Sequence, residues 1–90
     1  MNDTTDDNSA DLQVAPEHAL DACGLYCPEP VMMLHNKIRE IEEGEVLQIT
    51  ATDPSTTRDV PKFCIYLGHE LLKEDQDGDK YVYWIRKKKD

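Results

Sequence analysis

At 90 residues and 10.3 kDa the chain fits one small domain and no second, because independent domains usually need about 100 residues. Hydrophobic residues at 39% and charged residues at 32% suit a globular protein, and no apolar run nears the roughly 20 residues of a membrane-spanning helix, which argues against a membrane protein. Nineteen acidic against ten basic side chains give a net charge of −9, a surplus that repels phosphate backbones and disfavours direct nucleic-acid binding.

In chain order, residues 1–16 (MNDTTDDNSADLQVAP) combine Asp, Asn, Thr and Ser with few bulky apolar side chains. Such a stretch cannot bury enough surface to offset ordering entropy, so a disordered, solubilising acidic tail is expected there, followed by a folded domain over 17–90. Neither a basic n-region nor an apolar h-region opens the chain, so no secretory leader is expected. His18 to Cys23 (HALDAC) reads as a first strand ending at Gly24. From Pro28 the period changes: Val31, Leu34, Ile38 and Ile41 fall on one helical stripe, and Gly44 is the expected stop.

Glu45 to Thr52 alternates as a second strand, with Leu47, Ile49 and Ala51 on one face. Asp53-Pro54 then forms an N-cap and N1 pair opening a second helix that buries Val60, Phe63, Cys64 and Leu67. Pro61 should kink or restart that helix, since it lacks an N–H and its ring meets the preceding turn. Glu70–Glu74 and Lys80–Lys87 flank Asp77-Gly78, a hairpin signal, with Tyr81, Tyr83 and Ile85 on one face. The order βαβαββ predicts a two-layer α/β (α+β) sandwich: two helices packed on a mixed four-stranded sheet.

Three cysteines, Cys23, Cys27 and Cys64, are an odd number, so a disulfide scaffold is not expected and a reducing cytoplasm is the natural compartment. Cys27 stands out. Pro28 and Pro30 suit the first turn of a helix, where N–H groups lack intrahelical partners, and this places Cys27 at or next to the N-cap. The positive end of the helix dipole should favour the thiolate, with Glu29 opposing it, so a moderately activated and accessible thiol is expected. Cys64 reads as a core residue. Cys23 either packs at the strand end or resolves an oxidised Cys27, although C-x3-C is not the familiar redox spacing. A zinc site from Cys23, Cys27, Cys64 and His69 lacks paired ligand motifs, and His18, His35 and His69 are taken as surface residues. Met32 is a candidate apolar rim to the thiol, with Met33 assigned to the core. Arg58 and Asp59 form a candidate local network at the start of the second helix, and Lys87–Lys89 protect a strand edge.

Leu20-Asp21-Ala22, Gly24-Leu25, Cys27-Pro28-Glu29-Pro30 and the downstream Asp53-Pro54-Ser55-Thr56-Thr57-Arg58-Asp59-Val60-Pro61, in this order, resemble the TusA/SirA (YhhP) family of sulfur carriers over residues 18–88. The resemblance implies a small cytoplasmic protein with the βαβαββ sandwich, whose cysteine at the position of Cys27 carries sulfur as a persulfide. It implies a cysteine desulfurase as donor and a downstream sulfur-relay acceptor protein, in a relay for 2-thiolation of the tRNA wobble uridine. Related members supply molybdenum-cofactor maturation or take part in sulfur oxidation. Pro28, Glu29 and Pro30 are then the supporting loop, Met32, Arg58 and Asp59 the partner-binding candidates, and the chemistry is thiol–persulfide exchange with no metal or organic cofactor and no independent turnover. Two competing readings stay open: a regulatory module that uses this loop for recognition alone, and a thiol-redox protein that pairs Cys23 with Cys27.

Overall fold

The computed structural model describes residues 15–89, so the acidic tail expected over 1–16 lies almost wholly outside the described residues. Six elements follow in the order β1 (His18–Ala22), α1 (Glu29–Glu40), β2 (Val46–Ala51), α2 (Thr56–Leu67), β3 (Glu70–Asp77) and β4 (Lys80–Arg86). The sheet order is β1-β2-β4-β3, with β1 parallel to β2 and the other neighbours antiparallel, which is the expected mixed sheet under two helices.

Alternation dictates which face meets the helices. Leu47, Ile49 and Ala51 of β2 and Tyr83 and Ile85 of β4 all point into one core with Ala22 of β1, Leu34 and Ile38 of α1, and Val60, Phe63 and Cys64 of α2. Burying a side chain of the Leu, Ile or Phe class contributes about 1.5–3 kcal/mol, so this shared apolar layer holds both helices on the sheet. A polar link crosses the same layer: the hydroxyls of Thr56 and Tyr83 are 2.9 Å apart and buried, and the Thr56 hydroxyl donates to the Asp53 carbonyl at 2.7 Å.

Element boundaries depart from expectation for local reasons. α1 ends at Glu40 with Ile41 extended, and Gly44 lies in the following turn, where its N–H donates to the Lys87 carbonyl at 2.9 Å. α2 begins at Thr56 and not at Pro54, because Thr56 and Thr57 donate to the Asp53 and Pro54 carbonyls in tight i+3 turns before the α pattern sets in. Pro61 neither breaks nor restarts α2, which is one helix from Thr56 to Leu67. As its sixth residue, Pro61 removes only the donor owed to the Thr57 carbonyl, in an exposed first turn where water can replace it. Gly68 closes α2 at φ +79°, a left-handed conformation that favours glycine, with its N–H and that of His69 both on the Cys64 carbonyl.

Candidate functional site

Parallel pairing determines where the chemistry lies. Ala22 and Ala51 are register partners, so β1 and β2 end side by side and their loops leave the sheet together. The N-termini of α1 and α2 begin at that same edge, at Glu29 and Thr56. Three cross-links fix the loops. The Gly24 N–H, at φ +82°, donates to the Thr52 hydroxyl at 2.8 Å; the Cys27 N–H donates to Asp53 Oδ2 at 2.6 Å; and the Ser55 N–H donates to Asp53 Oδ1 at 3.0 Å. Asp53 is buried, and these two N–H groups hold its carboxyl below the ordinary carboxylate value, Ser55 contributing more than Cys27.

Cys27 is exposed and immediately precedes Pro28, the N-cap of α1. Glu29 stands in the exposed first turn, while Pro30 is buried and anchors the loop to the core. The thiol donates to Asp59 Oδ2 at 3.4 Å, and the other oxygen of Asp59 accepts from Arg58 Nε at 3.1 Å. Cys27, Arg58 and Asp59 are thereby brought together. Met32 is 58% exposed one turn further along α1 and lies outside the hollow beside the thiol.

The expected acidification of Cys27 does not hold. Its hydrogen bond to Asp59 is the main cause that raises the thiol above its ordinary value, helped by partial desolvation and by the negative charges of Asp59 and Asp53; Arg58 opposes them only in part. A helix terminus contributes a fraction of a charge, and two carboxylates outweigh it.

The other cysteines separate cleanly. Cys64 is buried and desolvation pushes its thiol up to about 11, consistent with core packing. Cys23 is half-buried and free, and its thiol is raised chiefly by a hydrogen bond to Asp21. His69 is no simple surface residue: it stacks on Phe63 at 5.6 Å between ring centroids, and its Nδ1 accepts the Lys88 N–H at 3.0 Å. Among the described residues no three His, Cys, Asp or Glu side chains gather as metal ligands, and no helix is long and apolar enough to cross a membrane.

Sequence reasoning missed an open hollow of about 330 Å³ between α1 and α2, with Cys27 and Asp59 at its edge. Val31, His35, Phe63 and Tyr66 give it a mainly apolar wall, and Tyr66 is 81% exposed. A signal for it was present: Asp59, Lys62 or Phe63, and Tyr66 follow at helical spacing, so one stripe of α2 leads away from the thiol.

Comparison with known proteins gives a consistent result. A family model described as sulfurtransferase TusA matches residues 18–87. The sulfur carrier protein TusA of Pseudomonas aeruginosa is 62% identical over 71 residues, covering 79% of this chain and 90% of the relative. Its counterpart in Pseudomonas entomophila is 63% identical over 71 residues, covering 79% and 89%, and that of Pseudomonas putida is 59% identical over 75 residues, covering 83% and 94%. The crystal structure of a SirA-like protein from Desulfitobacterium hafniense matches with a TM-score of 0.70 at 20% identity, over 80% of this chain and 99% of that one, a likeness of fold.

Proposed function

The chain belongs to the TusA family of sulfur carrier proteins, and from that premise we propose that Cys27 is the atom on which its sulfur travels, as a persulfide. The carrying observation is the placement of an exposed thiol at the lip of an apolar hollow, on a loop tied down by Asp53 and Pro30. Of the three cysteines, Cys64 is buried and Cys23 is half-buried, so an incoming protein reaches Cys27 most readily.

The reaction is an exchange. Cys27 sulfur attacks the outer sulfur of a donor persulfide, the donor S–S bond breaks, and the donor cysteine leaves as the thiolate, taking up the proton that Cys27 gives away. No oxidant is consumed, because sulfane sulfur passes from one thiol to another. An acceptor cysteine then removes the outer sulfur from Cys27-S-SH. Pro28, Glu29 and Pro30 present the thiol, and Met32 and Arg58 flank the approach of the partner. A cysteine desulfurase as donor, and a relay in the cytoplasm towards tRNA wobble-uridine 2-thiolation as destination, are the pathway we assign from the resemblance.

Intact-mass spectrometry tests the reading. With a cysteine desulfurase and free cysteine, the protein is expected to gain the mass of one sulfur atom, reversibly with a thiol reductant. The gain should vanish in Cys27→Ser and persist in Cys64→Ser. A product lighter by two hydrogens that requires both Cys23 and Cys27 would replace this reading with the redox one. Partner binding that survives Cys27→Ser with no mass gain in the wild type would leave recognition alone.

A further inference from the structure

We infer that Asp59 is a charge gate on Cys27: it keeps the thiol protonated in the free protein and yields it when a cationic group on the incoming partner neutralises its carboxylate. The inference rests on Cys27 being the transferring sulfur and names a property its partners must share, a positive charge next to the reacting sulfur.

The geometry singles out one oxygen. Both carboxylate oxygens of Asp53 are taken by backbone N–H groups, those of Cys27 and Ser55, so Asp53 positions the loop and acts on the thiol only through its charge, without a hydrogen bond to it. Asp59 Oδ1 is held by Arg58 Nε, which leaves Oδ2 facing the Cys27 sulfur at 3.4 Å. An acceptor-only group at that place favours S–H over S⁻, because deprotonation removes the donor and sets two negative charges side by side. The raised thiol value has Asp59 as its first cause.

The other charged and titratable groups near the thiol come from each neighbouring element: His35 of α1 and Lys62 and Tyr66 of α2 line the same hollow, Arg58 stands beside Asp59, Asp53 lies in the loop before α2, and Glu29 follows Cys27 by two residues in the chain. Arg58 is adjacent in sequence and largely exposed, and it offsets Asp59 only in part. The balance at the sulfur is negative until another cation arrives. During exchange, a cation paired with Asp59 lets Cys27 lose its proton; the Cys27 S–S bond forms, the donor S–S bond breaks, and the proton ends on the departing donor thiolate. A free carrier guarded in this way is slow towards small neutral oxidants and electrophiles and is activated by docking.

The test uses the full chain alone, in a Cys23→Ser background, with Cys64 shielded by burial. Alkylation of Cys27 by iodoacetamide is followed against pH, and its rates with two methanethiosulfonates, one bearing trimethylammonium and one bearing sulfonate, are compared. The wild type should titrate above the ordinary thiol value near 8.5. Asp59→Asn should lower that midpoint by about one pH unit and raise the rate at pH 7 about three- to fourfold, since tenfold more thiolate is partly offset by its lower nucleophilicity. The same variant should lose most of the preference for the cationic reagent, a preference that in the wild type fades with salt. Asp59→Glu, which keeps the carboxylate, should restore both behaviours.

A wild-type midpoint at or below 8.5, or an Asp59→Asn variant with unchanged midpoint and unchanged charge preference, overturns the gate. Because the readout needs no sulfur donor, a gated thiol that takes no sulfur from a desulfurase would defeat the carrier reading while the gate itself stood.

Discussion

At the scale of single residues, the site depends on one carboxylate doing two backbone tasks. Asp53 accepts from Ser55 two residues on and from Cys27, 26 residues back in the chain, so it caps the turn into α2 and pins the loop before α1 together. Removing it leaves both N–H groups without a protein partner. Asp53→Ala is therefore expected to lower Tm by roughly 4–8 °C, the effect of losing about 1 kcal/mol of hydrogen bonding in a domain of this size; Asp53 is not itself the N-cap of α2, a place taken by Ser55. Asp53→Asn should fall between it and the wild type, because an amide oxygen serves one N–H while its NH₂ faces the other donor. Thermal unfolding followed by circular dichroism measures both, and equal Tm for wild type and Asp53→Ala would show that the cross-link contributes nothing. Cys27 tells the complementary story: as an exposed residue with a single weak side-chain partner, it is free to be chosen for reactivity and not for stability.

At the scale of elements, the hydroxyl chain from β4 to α2 decides how firmly the site edge is seated. Thr56 spends its proton on the Asp53 carbonyl, so Tyr83 is the donor to Thr56, and the two residues are not equivalent. Tyr83→Phe removes one bond and leaves Thr56 still donating, a loss of about 1 kcal/mol. Thr56→Val also strands the buried Tyr83 hydroxyl and should cost about 1–3 kcal/mol, with urea unfolding to rank them; the reverse order would refute the assigned direction. How much of this was legible in the sequence follows from range. The alternation of Leu47, Ile49 and Ala51, the stripe of Leu34 and Ile38, and the hairpin signal at Asp77-Gly78 are local patterns, and each corresponds to a core face or a hairpin of the fold, although the turn itself is Gly78-Asp79, with Asp77 closing β3 opposite Lys80. Cys27-Pro28-Glu29-Pro30 is equally local and opens α1 as the two prolines require. What escaped is what distant residues impose. The sequence shows Glu29 beside Cys27, yet the thiol's protonation is governed by Asp59, 32 residues away, and α2 starts late because Asp53 spends its first carbonyl bond on a tight turn.

For the whole molecule, three kinds of perturbed group, an imidazole, carboxyls and a thiol, define one range of pH in which the fold is most stable. Burial, with Lys88, Lys87 and His35 nearby, holds His69 below the ordinary histidine value of 6.5. The folded state then binds fewer protons than the unfolded one, so this contribution is complete above 6.5 and is lost as pH falls below it. Hydrogen bonds from backbone N–H groups depress the carboxyls of Asp53, Glu45 and Asp21. Their contribution is present above the ordinary carboxylate value near 4 and disappears as pH drops through the lower folded values. Cys64 acts on the other side: its thiol rises from 9.0 to about 11, so the folded state keeps a proton that the unfolded state releases, and stability is lost as pH climbs from 9 towards 11. Tm should accordingly be highest between about pH 7 and 9, with a first decline on acidification through 6.5 and a second, steeper one below about 4. His69→Gln should flatten the first decline and leave the second in place, because the depressed carboxyls lie elsewhere, at the β1–β2 end loops and beside His18. A wild-type Tm that does not change between pH 7.5 and 5.5 would show that the Phe63 stack and the Lys88 N–H place no constraint on the protonation of His69.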